Sequence, residues 1–219
     1  MSLILCLETS TTNCSVSIGK NDNVIALKEM NSKSFSHSEQ LHSFINELLA
    51  QEELTAKDLS AVSISKGPGS YTGLRIGVSA AKGIAYALDI PLISVSTLLC
   101  LAKQVDVNEG LIVPMLDARR MEVYSEVFDA NLNAVRDIKA EILDEQSFRK
   151  ELEHNEVHFI GTGVEKFEGV CNHPNAIFHY KKLPSAKEQF FIAKRKFDEK
   201  IFEDVAYFEP FYLKDFVSN

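Results

Sequence analysis

Three things are scarce in this chain. No stretch approaches the roughly 18–20 consecutive apolar residues that cross a bilayer, and the apolar run Leu3–Leu7 stops at Glu8 with no basic residue before it. Neither a membrane span nor a secretory signal is expected. Cysteine is sparse too: Cys6, Cys14, Cys100 and Cys171 stand far apart and form no CxxC pair. Reduced thiols in the cytosol are the expectation, with no disulfide framework and no bound metal. The third deficit is of basic side chains, 23 Lys and Arg against 31 Asp and Glu, for a formal net charge of -8. Affinity for nucleic acid rests on cations that neutralise phosphates, so this is a poor autonomous RNA binder. Its densest basic run, Lys194-Arg195-Lys196, is followed by Phe197, Asp198 and Glu199 and reads as one solvated helix face.

What is present is material for a core: 219 residues, 45% of them hydrophobic, which suits two small domains. Leu3–Leu7 reads as a buried first strand, followed by strands over Cys14–Ile18 and Val24–Met30, an antiparallel meander. Leu41, Phe44, Ile45, Leu48 and Leu49 follow helical spacing, and Ser36 with Glu39 makes a capping box before them. After the strand at 61–66 and a helix come a strand at Leu92–Val95 and a helix from Ser96 or Thr97. Asp106–Gly110 is polar and offers a boundary. A second meander follows at Leu111–Leu116, Glu122–Phe128 and Ala134–Ile138. Beyond it the pattern predicts an acidic amphipathic helix near Asp144–Leu152, a strand at Val157–Ile160, a turn at Gly161-Thr162-Gly163 and a helix near Ser185–Lys200.

The organising stretch runs from Ala61 to Leu88. Val62 and Ile64 alternate with Ser63 and Ser65, the chain breaks on Gly67-Pro68-Gly69, and it resumes at helical period: strand, sharp turn, helix. Within that helix Gly73, Gly77, Ala81 and Ala85 recur every four residues and form one row of small side chains, which lets another backbone approach closely. That backbone is either a partner's or the chain's own sheet.

Gly67-Pro-Gly-Ser-Tyr-Thr-Gly-Leu-Arg-Ile-Gly77, with Ile4–Thr11 before it and Pro91–Ala102 after it, resembles the TsaB (YeaZ) family. The resemblance continues at Leu116–Arg119, Glu122–Tyr124, Pro184–Ala186 and Pro210–Lys214, and so spans nearly the whole chain. It implies an α/β protein with the duplicated ribonuclease-H-like fold of the actin, Hsp70 and sugar-kinase superfamily. The two lobes are expected at 1–107 and 108–219, with a C-terminal segment able to pack back on the first. It implies a cytoplasmic, non-catalytic subunit that binds the catalytic subunit TsaD and acts with the ATPase TsaE. That complex transfers threonylcarbamoyl from its adenylate to the adenosine beside the tRNA anticodon. The tRNA is met mainly through the complex, and the chain can pair with itself when TsaD is absent. The helices at roughly 38–50 and 71–88 are the expected docking elements, with His37, Leu41, Gly73, Gly77, Ala81 and Ala85 as contact residues.

The same resemblance points to a degenerate nucleotide site. Active members of the superfamily place an acid on the first strand and glycines after the first strand of the second half, because only glycine lets backbone amides close around phosphate. Here Glu8, Thr9 and Ser10 hold the first position, and the second reads Asp117-Ala118-Arg119-Arg120. No catalytic residue, cofactor or metal is therefore expected. Rival classes lack their chemistry. An autonomous ATP-dependent transferase or kinase needs the missing glycine loops, and a metallopeptidase needs a coherent ligand set. His154 and His158 have HxxxH spacing but fall on a loop entering a strand. His37 and His42 are five apart and cannot share a helix face. The glycines at 67, 69 and 73 lack the ribose-binding acid a dehydrogenase places at the end of the next strand, and Pro68 breaks a GxSxG elbow around Ser70.

Overall fold

The computed structural model describes residues 2–32 and 37–214. The chain divides into two compact units, Met1–Cys100 with Pro184–Tyr212, and Leu101–Leu183 with Leu213–Asn219. The polar stretch Asp106–Gly110 thus lies inside the second unit, and the segment from Pro184 belongs to the first. Ser36, the expected helix cap, lies outside the described residues.

In the first unit β1 (Leu3–Glu8), β2 (Asn13–Lys20) and β3 (Asn23–Asn31) form the antiparallel meander. After α1 (His37–Gln51), β4 (Ala61–Gly67), α2 (Tyr71–Leu88) and β5 (Leu92–Ser96) complete a sheet of order β3-β2-β1-β4-β5, with β1, β4 and β5 parallel. Parallel central strands need cover on both faces, and the period-2 alternation of β1 supplies it. Leu3, Leu5 and Leu7 join the core under α1 and α2, while Ile4 and Cys6 join Phe190 and Ala193 on the opposite face. That second cover is α6 (Ala186–Asp198). Its approach also explains the serines interleaved in β2 and β4. The Ser17 hydroxyl donates to the Ala186 carbonyl at 2.7 Å, the Ala186 amide donates to the Ser15 hydroxyl at 2.9 Å, and the Gln189 amide donates to the Ser63 hydroxyl at 2.8 Å. Buried hydroxyls are tolerated because each has a partner.

Beyond α6 the chain runs along α2. Arg75 donates to the Tyr212 hydroxyl at 3.1 Å and lies 3.9 Å over the Tyr71 ring. Lys82 donates to the carbonyls of Phe208 and Ala206 at 2.9 and 3.1 Å.

A short helix α3 (Thr97–Ala102) carries the chain from the first unit into the second. There β6 (Leu111–Asp117), β7 (Glu122–Asp129) and β8 (Ala134–Ile142) repeat the meander. After α4 (Arg149–His154), β9 (Val157–Ile160), α5 (Val164–Glu168) and β10 (Ala176–His179) complete the order β10-β9-β6-β7-β8, with β6, β9 and β10 parallel. The two sheets have one topology, which is the duplication the sequence predicts. The helix expected over Asp144–Leu152 is shorter. Asp144 accepts the Gln146 amide and the Ser147 hydroxyl in a local turn, and Phe148 turns left-handed at φ 58° to join Phe159 and Phe167 in the core. Among the described residues no helix is long and apolar enough to cross a membrane.

Candidate functional site

Three places answer to the expected site residues. The first is the end of β1. Glu8 is fully buried, and its carboxylate accepts the Ser10 amide at 2.6 Å and the Ser65 hydroxyl. Burial pushes its carboxyl above the usual range, against the pull of those hydrogen bonds. Thr9 donates to the Gly73 carbonyl at 2.8 Å, and the Ser70 amide donates to the Ser10 carbonyl at 2.6 Å. This loop is therefore bonded to the first turn of α2. An acid sealed from solvent, with both oxygens occupied, holds a turn.

The second is the β6–β7 hairpin. The Asp117 carboxylate accepts the Arg119 amide and the Lys166 ammonium, each at 2.6 Å, and its own amide donates to the Thr162 hydroxyl at 2.9 Å. Lys214 pairs with the Glu122 carboxylate. The Ala118 amide donates to the Glu122 carbonyl and the Glu122 amide to the Arg119 carbonyl, so with Arg119 three loop amides are engaged within the hairpin. Arg119 and Arg120 both have left-handed backbones, φ 71° and 50°, the only adjacent pair of non-glycine residues that do so among the described residues. Each costs about 1–2 kcal/mol for an L side chain. Both side chains are exposed.

The third is the outer side of α1 and α2, and here the expectation needs correcting. His37, Leu41, Gly73, Gly77, Ala81 and Ala85, the six contact residues, are all buried in the chain's own core. The reason is local. A Cβ on Gly73 would lie 2.1 Å from the Thr9 carbonyl oxygen, and one on Gly77 2.2 Å from the Thr9 hydroxyl, so the small row lets α2 descend onto the β1 loop. His37 binds the Thr11 carbonyl through Nε2 at 2.7 Å, and burial holds its imidazole below the usual range. What α2 presents outward is a different set. Ile76, Ser79, Ala80, Gly83, Ile84, Ala87 and Leu88 line, with His42 and Ala56, an open groove of about 490 Å³. A Cβ on Gly83 would meet nothing within 4 Å among the described residues. A mid-helix glycine there costs about 1 kcal/mol with no return inside the chain. The spacing of Ile76, Ala80, Gly83 and Ala87 carried this second row in the sequence, where the more regular Gly73–Ala85 row obscured it.

The histidines at HxxxH spacing, set aside as a metal pair on the sequence, lie on separate elements. His154 ends α4 and His158 lies in β9, where it bonds His179 at 3.0 Å and Glu156 at 3.1 Å. Among the described residues no three His, Cys, Asp or Glu side chains are grouped to hold a metal ion.

Residues 31–217 match the family model described as TsaD, tRNA N6-adenosine threonylcarbamoyltransferase. The chain is 28% identical to the tRNA threonylcarbamoyladenosine biosynthesis protein TsaB of Escherichia coli (strain K12) over 98% of its own length and 96% of that protein's. It is 30% identical to the protein of the same name from Buchnera aphidicola subsp. Baizongia pistaciae, over 75% of its own length and 76% of that protein's. Among solved structures it superposes on YeaZ from Pseudomonas aeruginosa with a TM-score of 0.86 at 23% identity, covering 97% of this chain and all of that one, a likeness of fold.

Proposed function

From a chain that belongs to the TsaB family of tRNA threonylcarbamoyladenosine biosynthesis proteins, we propose a subunit that contributes a docking surface, and no reacting group, to a TsaD-centred complex. The observation that carries this reading is the outward row of α2. A groove of small and aliphatic side chains, with a glycine whose missing side chain serves nothing within the chain, fits the close approach of a partner helix. The partner is TsaD, with TsaE joining the assembly. In the absence of TsaD the same groove pairs two copies of this chain.

The non-catalytic part of the reading rests on the two other places. Glu8 is enclosed, and Asp117 is neutralised by Lys166 and hydrogen-bonded to the Arg119 amide, so neither carboxylate is free to organise a nucleotide or a metal. Such a subunit acts on a neighbouring active site through binding energy and conformational bias, a coupling typically worth about 1–3 kcal/mol. The test is titration of the chain against TsaD, followed by reconstituted threonylcarbamoylation of tRNA with and without it. The expected result is tight association, activity that depends on the chain, and activity within a few-fold of wild type for Glu8→Gln. Failure to bind TsaD overturns the docking role. A hundredfold loss in a folded Glu8→Gln that still binds TsaD overturns the non-catalytic one.

A further inference from the structure

The Arg119–Arg120 pair is not explained by docking through α1 and α2. A hairpin that needs two successive left-handed residues is served by Asn and Gly, and this one carries two arginines. Other cations near it are neutralised: Lys166 by Asp117 and Lys214 by Glu122. In the densest basic run Lys194 pairs with Asp198 at 2.5 Å and Lys196 donates to the Ser94 carbonyl at 2.8 Å, which leaves Arg195 as a single exposed cation rather than a pair. Among the described residues the guanidinium groups of Arg119 and Arg120 have neither a carboxylate nor an aromatic ring as partner, and both side chains are exposed. In a chain of formal net charge -8 they make a local excess of two positive charges at the end of one hairpin. The Asp117 carboxylate fixes that end by holding the Arg119 amide.

We propose that the Arg119–Arg120 hairpin tip is a contact for the phosphate backbone of RNA. A guanidinium is a rigid fork of donors that matches phosphate bidentately, and two on consecutive residues reach neighbouring phosphates of one strand. A carboxylate-bearing protein is the rival occupant. RNA is favoured because the chain otherwise repels a polyanion, so residues that contact one must be concentrated and unneutralised, as these two are. The identity of the RNA as tRNA rests on the function proposed above; the phosphate contact does not.

The test uses the full chain without TsaD and a fluorescently labelled tRNA transcript, with binding followed by anisotropy across a salt series. Arg119→Asn/Arg120→Gly removes both charges in residues suited to the turn, and Arg119→Lys/Arg120→Lys keeps them. The expected result is binding at low salt that falls at least tenfold in the Asn/Gly variant and is largely kept in the Lys/Lys variant. The log–log salt slope should flatten by about 1.4 in the Asn/Gly variant, two phosphates at about 0.7 each for a single strand. Wild-type affinity and slope in the Asn/Gly variant overturn the proposal, as does a wild-type chain that binds no tRNA at any salt. Displacement by polyglutamate as effective as by unlabelled tRNA assigns the tip to protein carboxylates and also overturns it. Both variants should bind TsaD like wild type, so loss of RNA contact and loss of docking are read in separate titrations.

Discussion

Replacing Gly83 separates what the chain needs for itself from what it offers a partner. A Cβ at this position has open space, so Gly83→Ala acts in the isolated chain only through helix propensity, a gain of about 0.8–1 kcal/mol. For a protein of this size that raises the melting temperature by about 2–4 °C. Gly83→Leu adds a side chain of nearly equal helix propensity, so the chain kept dilute enough to stay monomeric should melt no lower than wild type. At a closely packed helix pair the same side chain overfills the contact, which costs about 1–3 kcal/mol and weakens association by about 5- to 150-fold. Thermal denaturation of the dilute monomer, followed by circular dichroism, and titration calorimetry against TsaD give the two readouts. Gly83→Leu that binds TsaD at wild-type affinity refutes the outward groove as the docking surface. Gly83→Ala that fails to gain stability refutes the argument that the glycine has no role within the chain.

Ala81→Arg is the converse probe. It forces a charge into the core beneath α2, where an unpaired buried charge costs several kcal/mol, and a chain that melts normally would show that the small row does not face the sheet. Glu8→Gln tests the sealed acid through pH. The native carboxyl lies above its unfolded value of about 4.5, so its stabilisation is fully present below that value and lost as pH rises through the native one. The melting temperature of Glu8→Gln relative to wild type should therefore climb as pH rises above about 4.5, and a difference that does not vary with pH is the contrary result. In Arg119→Asn/Arg120→Gly, relief of two left-handed L residues should raise thermal stability by about 1 kcal/mol or more. Equal or lower stability would mean that the arginine side chains stabilise the hairpin.

Much of the fold was legible because its signals are local. Alternating Val62 and Ile64, the Gly67-Pro68-Gly69 break and the helical run after it specify β4, the turn and α2 in order, and two meanders announce two like sheets. Orientation was less legible. Small residues lie on two sides of α2, and spacing alone does not say which row meets Thr9. Only the position of the β1 loop decides it, and that contact spans 64 residues of sequence. The Asp144 turn was missed because Asp and Ser compete with a helix by bonding their own backbone, and the apolar periodicity running through them hides the competition. At the hairpin the arginines were visible, but their left-handed backbones and the neutralised lysines beside them were not.

The first unit is discontinuous, and this has a consequence for how the chain is made. Ile4, Cys6, Ile93 and Val95 lie on the face of the sheet closed by Phe190 and Ala193 of α6, residues that leave the ribosome long after the strands they cover. Until then one side of the sheet is bare, and exposed apolar surface on a nascent chain is what chaperones hold. Translation stalled or truncated before Pro184 should yield an aggregation-prone, chaperone-bound fragment. The same cut made after Asp198 should release a chain whose first sheet is covered on both faces.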